Sequence, residues 1–175
     1  MKLASTVEIR PLAQNLSALP MVAAWYYEAW GCADGLTLDM EQRKLGESLA
    51  GSSFPETYLA LAQERLMGVI QLKLQEMPQL PHFVHWLGSV YVDPLARGGG
   101  VARALVNYAA EQATLRDIHQ LYLQTEDLTG GLYYRCGWAP VSIAESHGRR
   151  VLVMVRHSDP QKLISTNLLG KSSCL

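Results

Sequence analysis

Residues 86–113, WLGSVYVDPLARGGGVARALVNYAAEQA, restrict the possible folds more than any other stretch of the chain. The apolar run Trp86–Val92 predicts a buried strand, and Asp93-Pro94 marks a turn at its end. Ala102, Leu105, Val106, Ala109 and Ala113 then recur at helical spacing, a narrow face of small residues that would let a helix lie close on a sheet. Between strand and helix stand Arg97 and three consecutive glycines, Gly98, Gly99 and Gly100. Glycine turns tightly and lets a ligand approach main-chain N–H groups that a Cβ would shield. The first turn of a helix carries unpaired N–H groups and the positive end of the helix dipole. The junction therefore predicts a site for phosphate oxygens.

The common phosphate motifs do not account for it. A P-loop requires a Lys-Ser/Thr pair that is missing, and a dinucleotide fingerprint begun at Gly98 would need glycine where Arg103 stands. The spacing Arg97-x-x-Gly100-x-Ala102, after a valine-rich strand and Asp93-Pro94, resembles motif A of the GNAT superfamily of acyl-CoA-dependent N-acyltransferases, whose pattern is Q/R-x-x-G-x-G/A. The resemblance implies that the backbone of Arg97, Gly98, Gly99, Gly100, Val101 and Ala102 holds the pyrophosphate of acetyl-CoA. It also implies that Val90, Tyr91 and Val92 present backbone groups to the pantetheine arm and a main-chain N–H to the thioester oxygen. A glycine turn that merely starts a helix is the plainer alternative for the tripeptide alone.

A second segment, LYLQTEDLTGGLYYRCGW from Leu121 to Trp138, carries a second resemblance. Members of that superfamily often show a helix ending F/L-Y-x-K/R-x-G-F/W, matched by Leu132-Tyr133-Tyr134-Arg135-Cys136-Gly137-Trp138. The match implies that Tyr133 is the general acid that reprotonates the departing thiolate. Tyr134 is its rival, because an error of one residue in helix phase exchanges the two. The implied fold is mixed α/β (α+β), a mostly antiparallel sheet flanked by helices. A V-shaped splay opens between the two central parallel strands. The implied activity is acetyl transfer from acetyl-CoA to a primary amine in a direct ternary complex, the acceptor being a small amine, an aminoglycoside-like compound or a protein N-terminus. A non-catalytic acyl-CoA-binding module is the rival from another class.

Length and composition agree with one globular domain. At 175 residues, 49% hydrophobic and 18% charged, the chain has enough apolar material for a core. The expected extent is residues 1–156, with 157–175 a polar tail. A net charge of −1 without a Lys/Arg cluster argues against nucleic acid as a partner. No apolar run reaches the roughly 18 residues that span a bilayer, and the N-terminus lacks a signal-peptide core. Cys32, Cys136 and Cys174 are odd in number and widely spaced, which predicts free thiols in a reducing cytoplasm. His82, His85, His119 and His147 do not fall at metal-ligand spacing, so no metal is expected. A homodimer is an open alternative to a monomer.

Elsewhere the pattern predicts a strand over 7–12 and a helix from Asn15 or Ser17 to Trp30, closed by Gly31. Leu19, Val22, Ala23, Tyr26 and Ala29 form its buried stripe. A second helix comes next over 37–50, then strands over 58–62 and 68–75. In the latter, Ile70, Leu72 and Leu74 alternate with Gln71, Lys73 and Gln75, the signature of a half-buried strand. Beyond the opening segment come a strand over 118–124, a short helix over 129–136, and strands over 139–143 and 150–155.

Acyl transfer to an amine requires removal of a proton from the ammonium, a donor for the oxyanion and a proton for the thiolate. Glu126 and Asp127 lie after the second central strand at the sheet edge where ligands of open sheets gather, which makes them candidate bases, Glu126 first; a solvated or structural role is the plainer explanation of each. His85 and Glu28 are further candidates, and a water chain is another. Cys136 sits inside the second motif without an evident base, which argues against an acyl-cysteine intermediate. Trp25, Tyr27 and Trp30 fall off the buried stripe of the first helix. Packing under a loop explains them; a substrate cleft formed with Glu28 is the sharper alternative. Residues 1–60 carry four basic against seven acidic side chains, a bias compatible with a cationic acceptor and equally with solvated helix faces.

Overall fold

A computed structural model gives the structure of residues 7–51 and 54–158. Among these residues seven strands form one sheet: β1 (Glu8–Pro11), β2 (Glu56–Ala62), β3 (Arg65–Leu74), β4 (His85–Val92), β5 (Gln120–Thr125), β6 (Ala139–Ser146) and β7 (Arg149–His157). Their spatial order is β1-β2-β3-β4-β5-β7-β6. Every neighbouring pair is antiparallel except β4 with β5. That exception arises from connectivity, since α3 (Val101–Leu115) lies between the two strands and a strand–helix–strand crossover returns the chain in the same direction. The remaining helices are α1 (Leu19–Tyr26), α2 (Leu38–Ala50) and α4 (Gly131–Arg135). The mixed, mostly antiparallel sheet expected from sequence is the one observed.

The two faces of the sheet are covered differently. Small residues on α3 let it lie close, and Val101, Leu105, Val106, Ala109 and Ala113 pack with Ile70, Leu72, Leu87, Leu121 and Leu123 into one continuous core. On the other face, Val22, Ala23, Tyr26 and Leu45 from α1 and α2 cover Leu59, Leu61 and Val69. A separate cluster of Met77, Trp86, Tyr122, Val151, Val153 and Val155 covers the far half of that face.

The α3 side tolerates no extra volume at β3. A Cβ on Gly68 would stand 2.8 Å from the Tyr91 carbonyl oxygen and 3.1 Å from Leu105 Cδ1. The first of these neighbours is backbone of the adjacent strand and cannot rotate away. Gly68→Val is therefore expected to cost about 3 kcal/mol, measured as a shift of the urea midpoint with an unchanged slope.

Several expected boundaries differ from those found. The first helix does not run unbroken to Trp30, since α1 ends at Tyr26 and one wider π turn occupies Tyr27–Gly31. The wider turn shifts the helical phase of its own residues, so Ala29, expected in the buried stripe, is exposed. Asn15 and Ser17 cap nothing; their side chains bond each other, and Ala18 precedes α1. Thr37 caps α2 as expected, its hydroxyl accepting the Met40 N–H. Strand β3 starts three residues earlier than the pattern suggests, after a turn at Gln63–Glu64. It is not half-buried, for Gln71 is covered as well as Ile70 and Leu72, whereas Leu74 is exposed. Both faces of a central strand are packed, and Gln71 is accommodated by donating to Thr57 Oγ1 at 3.0 Å. Helix α4 is only five residues long, and β6 and β7 are longer than expected, reaching Ser146 and His157. The expected tail falls outside the described residues beyond Ser158.

Candidate active site

Strand β4 ends at Val92 and the chain turns at once. Asp93 accepts the Leu95 N–H and pairs with Arg65 at 3.0 Å, which together hold its carboxyl below the ordinary value. Arg97 Nε donates to the Val92 carbonyl at 3.2 Å, closing the loop back onto the strand end. Gly98 and Gly100 are left-handed, with φ of 78° and 81°, a conformation that a side chain strains. Gly100 is the cap residue of α3, and its carbonyl accepts the Ala104 N–H at 3.0 Å. The N–H groups of Val101, Ala102 and Arg103 therefore precede the first intrahelical bond. The first turn of α3 contains no acidic residue, although helices ordinarily gain from one there. Loop and helix end together present backbone N–H groups without intrahelical partners, those of Val101 and Ala102 among them, and no acidic side chain in the first turn of α3 offsets the helix dipole.

The middle of β4 is irregular. Gly68 pairs with Val92 and Val69 with Tyr91, but Gln71 pairs with Gly88, so β4 carries one extra residue between Gly88 and Tyr91. Ser89 takes that distortion with φ of 50°. The parallel pairing of β4 with β5 consists of a single residue pair, Trp86 with Tyr122, near the start of both strands. Val90 and Val92 turn to the α3 side, whereas Tyr91 turns to the α1 side and lies against Trp25, ring centroids 5.0 Å apart.

Of the acceptor-side residues expected from sequence, Trp25 is thus half-buried against the site strand. Trp30 is 42% exposed and tilted on Tyr26 at 5.7 Å, and Glu28 is exposed on the π turn. Tyr26 itself is buried, and its hydroxyl faces Ser89 without reaching hydrogen-bond geometry. Burial is the main cause that raises its pKa.

Tyr133 and Tyr134, adjacent in sequence, have opposite environments. Tyr133 packs on the α3-side core and meets Trp138 edge-on at 6.4 Å, while Tyr134 is 64% exposed. Burial pushes the Tyr133 phenol up to about 12. A raised folded-state pKa contributes stability below the unfolded value near 10, lost as pH rises through the folded value. The melting temperature is accordingly expected to fall between pH 10 and 12, and Tyr133→Phe to shrink that fall.

Glu126 sits on the exposed turn after β5, gripped by Arg149 Nη1 at 2.8 and 3.0 Å. His85 stands at the opposite end of β4, its pKa lowered by burial. It lines a cavity of about 490 Å³ with His82, Asp117, His119 and His157, remote in the fold from the glycine loop. Among the described residues no set of three His, Cys, Asp or Glu could hold a metal ion. Cys32 and Cys136 are free thiols, the second buried, and no described helix is long and apolar enough to cross a membrane.

The structure also assembles a group that the sequence does not announce. Lys73, Glu76, Gly88 and Gln124 meet on the α1 side where β4 and β5 part. The Lys73–Glu76 ion pair measures 2.8 Å, and Gln124 Nε2 lies 3.5 Å from Glu76. The alternation of β3 hints at this only as a polar face.

Comparison with known proteins places these features in one family. The acetyltransferase (GNAT) family model matches residues 19–138, more than half of the chain. Among solved structures, an aminoglycoside 6'-N-acetyltransferase complexed with coenzyme A superposes with a TM-score of 0.66 at 15% identity, covering 86% of this chain and 96% of its own. A spermidine N-acetyltransferase chimera from Vibrio cholerae and hSSAT gives 0.69 at 19% identity, covering 91% and 99%. A ribosomal-protein-alanine N-acetyltransferase from Brucella melitensis gives 0.66 at 21% identity, covering 86% and 99%. No curated protein matches the chain in sequence. With the glycine loop at the end of β4, the distorted middle of that strand and the family match spanning all of them, the chain belongs to the GNAT family of acetyltransferases.

Proposed function

We propose that this protein transfers an acetyl group from acetyl-CoA to a primary amine by direct attack in a ternary complex. The observation that carries the reading is the left-handed glycine loop Gly98, Gly99, Gly100 at the end of β4, leading into the unpaired N–H groups of Val101 and Ala102. Such a helix start suits a pyrophosphate, and the family match supports a coenzyme A donor. Arg97 adds the positive charge of its guanidinium at the same loop. Past the single pair Trp86–Tyr122 the two central strands are free to diverge, which supports a V-shaped opening for the pantetheine arm. Val90, Tyr91 and Val92 would offer it their backbone groups, and the extra residue at Ser89 would turn an N–H toward the thioester oxygen.

The chemistry is a direct displacement at the thioester. The neutral amine attacks the carbonyl carbon, the N–C bond forms, and the C–S bond breaks as the tetrahedral intermediate collapses. Tyr133 gives its phenolic proton to the leaving sulfur, and the nitrogen of the new amide loses its extra proton to solvent, which returns one to Tyr133. The acceptor enters from the α1–α2 side, past Trp25, Glu28 and Trp30. The acceptors named for the structural neighbours, aminoglycosides, spermidine and a ribosomal-protein alanine, are all amines. A small cationic amine suits the acidic bias of residues 1–60. Titrating the pure protein with acetyl-CoA in a calorimeter tests the donor assignment. Saturable binding is expected, and its absence would overturn the reading. A binding-only module would bind acetyl-CoA yet release no CoA with any amine, and the half-buried Tyr133 argues against it.

A further inference from the structure

On the face opposite α3, the sheet is covered by two separate apolar clusters, one under α1 and α2 and one around Trp86 and Tyr122. Between them runs a polar seam, and at its centre stands a primary ammonium belonging to the protein. Lys73 reaches over Gly88, where a Cβ would come within 3.2 Å of both its Cε and its Nζ. Glu76 Oε2 receives that ammonium at 2.8 Å, with side-chain exposures of only 24% for Lys73 and 19% for Glu76. Gln124, on β5, approaches Glu76 with its Nε2, while its Oε1 is buried and has no hydrogen-bond partner among the described residues. An unpaired buried carbonyl oxygen is costly, and an N–H donor would recover that cost. Gly88 and Gln124 lie just beyond the Trp86–Tyr122 pair, at the point where β4 and β5 part, and Gly88 adjoins the distorted Ser89.

We infer that this seam is the seat of the acceptor nitrogen, with Glu76 and the Gln124 carbonyl as its receivers and Lys73 as the internal amine that the acceptor displaces. The inference rests on the acetyltransferase reading above and names the acceptor side of that site. A pocket that holds a lysine ammonium on an alkyl stem suits an unhindered primary amine on an alkyl chain. Lysine is the one partner able to yield the place, because its flexible stem reaches solvent by rotation alone. Once the acceptor is seated, its ammonium passes one proton to the Glu76 carboxylate and the nitrogen lone pair attacks the thioester carbon. The C–S bond then breaks, the sulfur takes its proton from Tyr133, and the second proton of the nitrogen leaves to solvent, which returns one to the Tyr133 phenolate. Glu126 has no such placement, because Arg149 holds it on the exposed rim.

Calorimetry on the coenzyme A-saturated protein tests this without requiring turnover, with spermidine and an aminoglycoside as probes. Glu76→Gln is expected to weaken binding of at least one probe by about tenfold or more, and Glu76→Asp to recover part of the loss. Lys73→Met is expected to change affinity in the opposite direction, tightening it, because the competing ammonium is gone. A purely structural ion pair would make both variants fail alike. Affinity for coenzyme A should stay at the wild-type value in all three variants, which separates this test from that of the donor site. Equal weakening in Lys73→Met and Glu76→Gln, unchanged binding in Glu76→Gln, or no binding of either amine to the wild type would overturn the assignment. With an amine that turns over, Glu76→Gln should lose more kcat/KM than Glu126→Gln; the reverse order would return the proton to Glu126.

Discussion

Exchanging Arg97 for Glu together with Gly100 for Asp is expected to lower coenzyme A affinity by about 10²- to 10⁴-fold, with little change in melting temperature. The size of the effect comes from the loop. Two charge-assisted contacts to a pyrophosphate, at about 1.5–3 kcal/mol each, correspond to roughly that factor. The aspartate adds a negative charge at the end of α3 that now carries no acidic residue. It also places a side chain on a residue with φ of 81°, beside the N–H groups that would face the ligand. No neighbour lies within 4 Å of a Cβ at Gly100, so the substitution acts on the ligand and the local backbone rather than on core packing. Leu95→Ser, two residues before Arg97 and 85% exposed, is the control that should bind normally. Calorimetric titration with coenzyme A reads the result, and an unchanged dissociation constant in the double variant would remove the pyrophosphate from this loop.

Tyr133→Phe is expected to reduce kcat by about 10²- to 10³-fold, within the range for loss of a positioned general acid, while KM for acetyl-CoA stays near the wild-type value. The ring remains and with it the packing on Trp138, so only the proton donor is lost. A fall in kcat without a rise in KM is the mark of an interaction made in the transition state alone. Because burial pushes the phenol up to about 12, wild-type kcat should show no loss from this group as pH rises to about 10, the ordinary tyrosine value. Steady-state kinetics across pH check both points. A larger loss in Tyr134→Phe than in Tyr133→Phe would move the donor one residue along the chain.

The features legible in the chain are local ones. Gly98–Gly100 announce a left-handed loop, the small face of α3 announces close packing on a sheet, and the strand–helix–strand order compels β4 and β5 to run parallel. Spacing carries the information here, because each feature sits within one short stretch of chain. The distinction between Tyr133 and Tyr134 is only half legible. The motif selects the first, and the packing of α4 on the core supplies the physical contrast.

The proposed acceptor side is not legible, for three physical reasons. The π turn at Tyr27–Gly31 is out of phase with the periodicity of α1, so Ala29 points where the pattern does not predict. The extra residue in β4 appears only as a slip in its register with β3. The seam joins Lys73 and Glu76 to Gly88 and Gln124, and only the order β3-β4-β5 brings those segments together. An alternating strand cannot reveal that its polar face is buried in the middle of a sheet. Glu126 is the reverse case: its place after β5 is legible, but its fork with Arg149 depends on β7, a distant segment.

Incubating the purified protein with acetyl-CoA and a set of primary amines that includes spermidine and an aminoglycoside, and measuring free CoA thiol together with the mass of the amine, tests the central claim most directly. Acetyl transfer predicts that thiol release depends on the amine and matches, mole for mole, an amine heavier by one acetyl group. Saturable acetyl-CoA binding with no amine-dependent thiol release across the set would contradict it and leave a protein that binds the donor without using it.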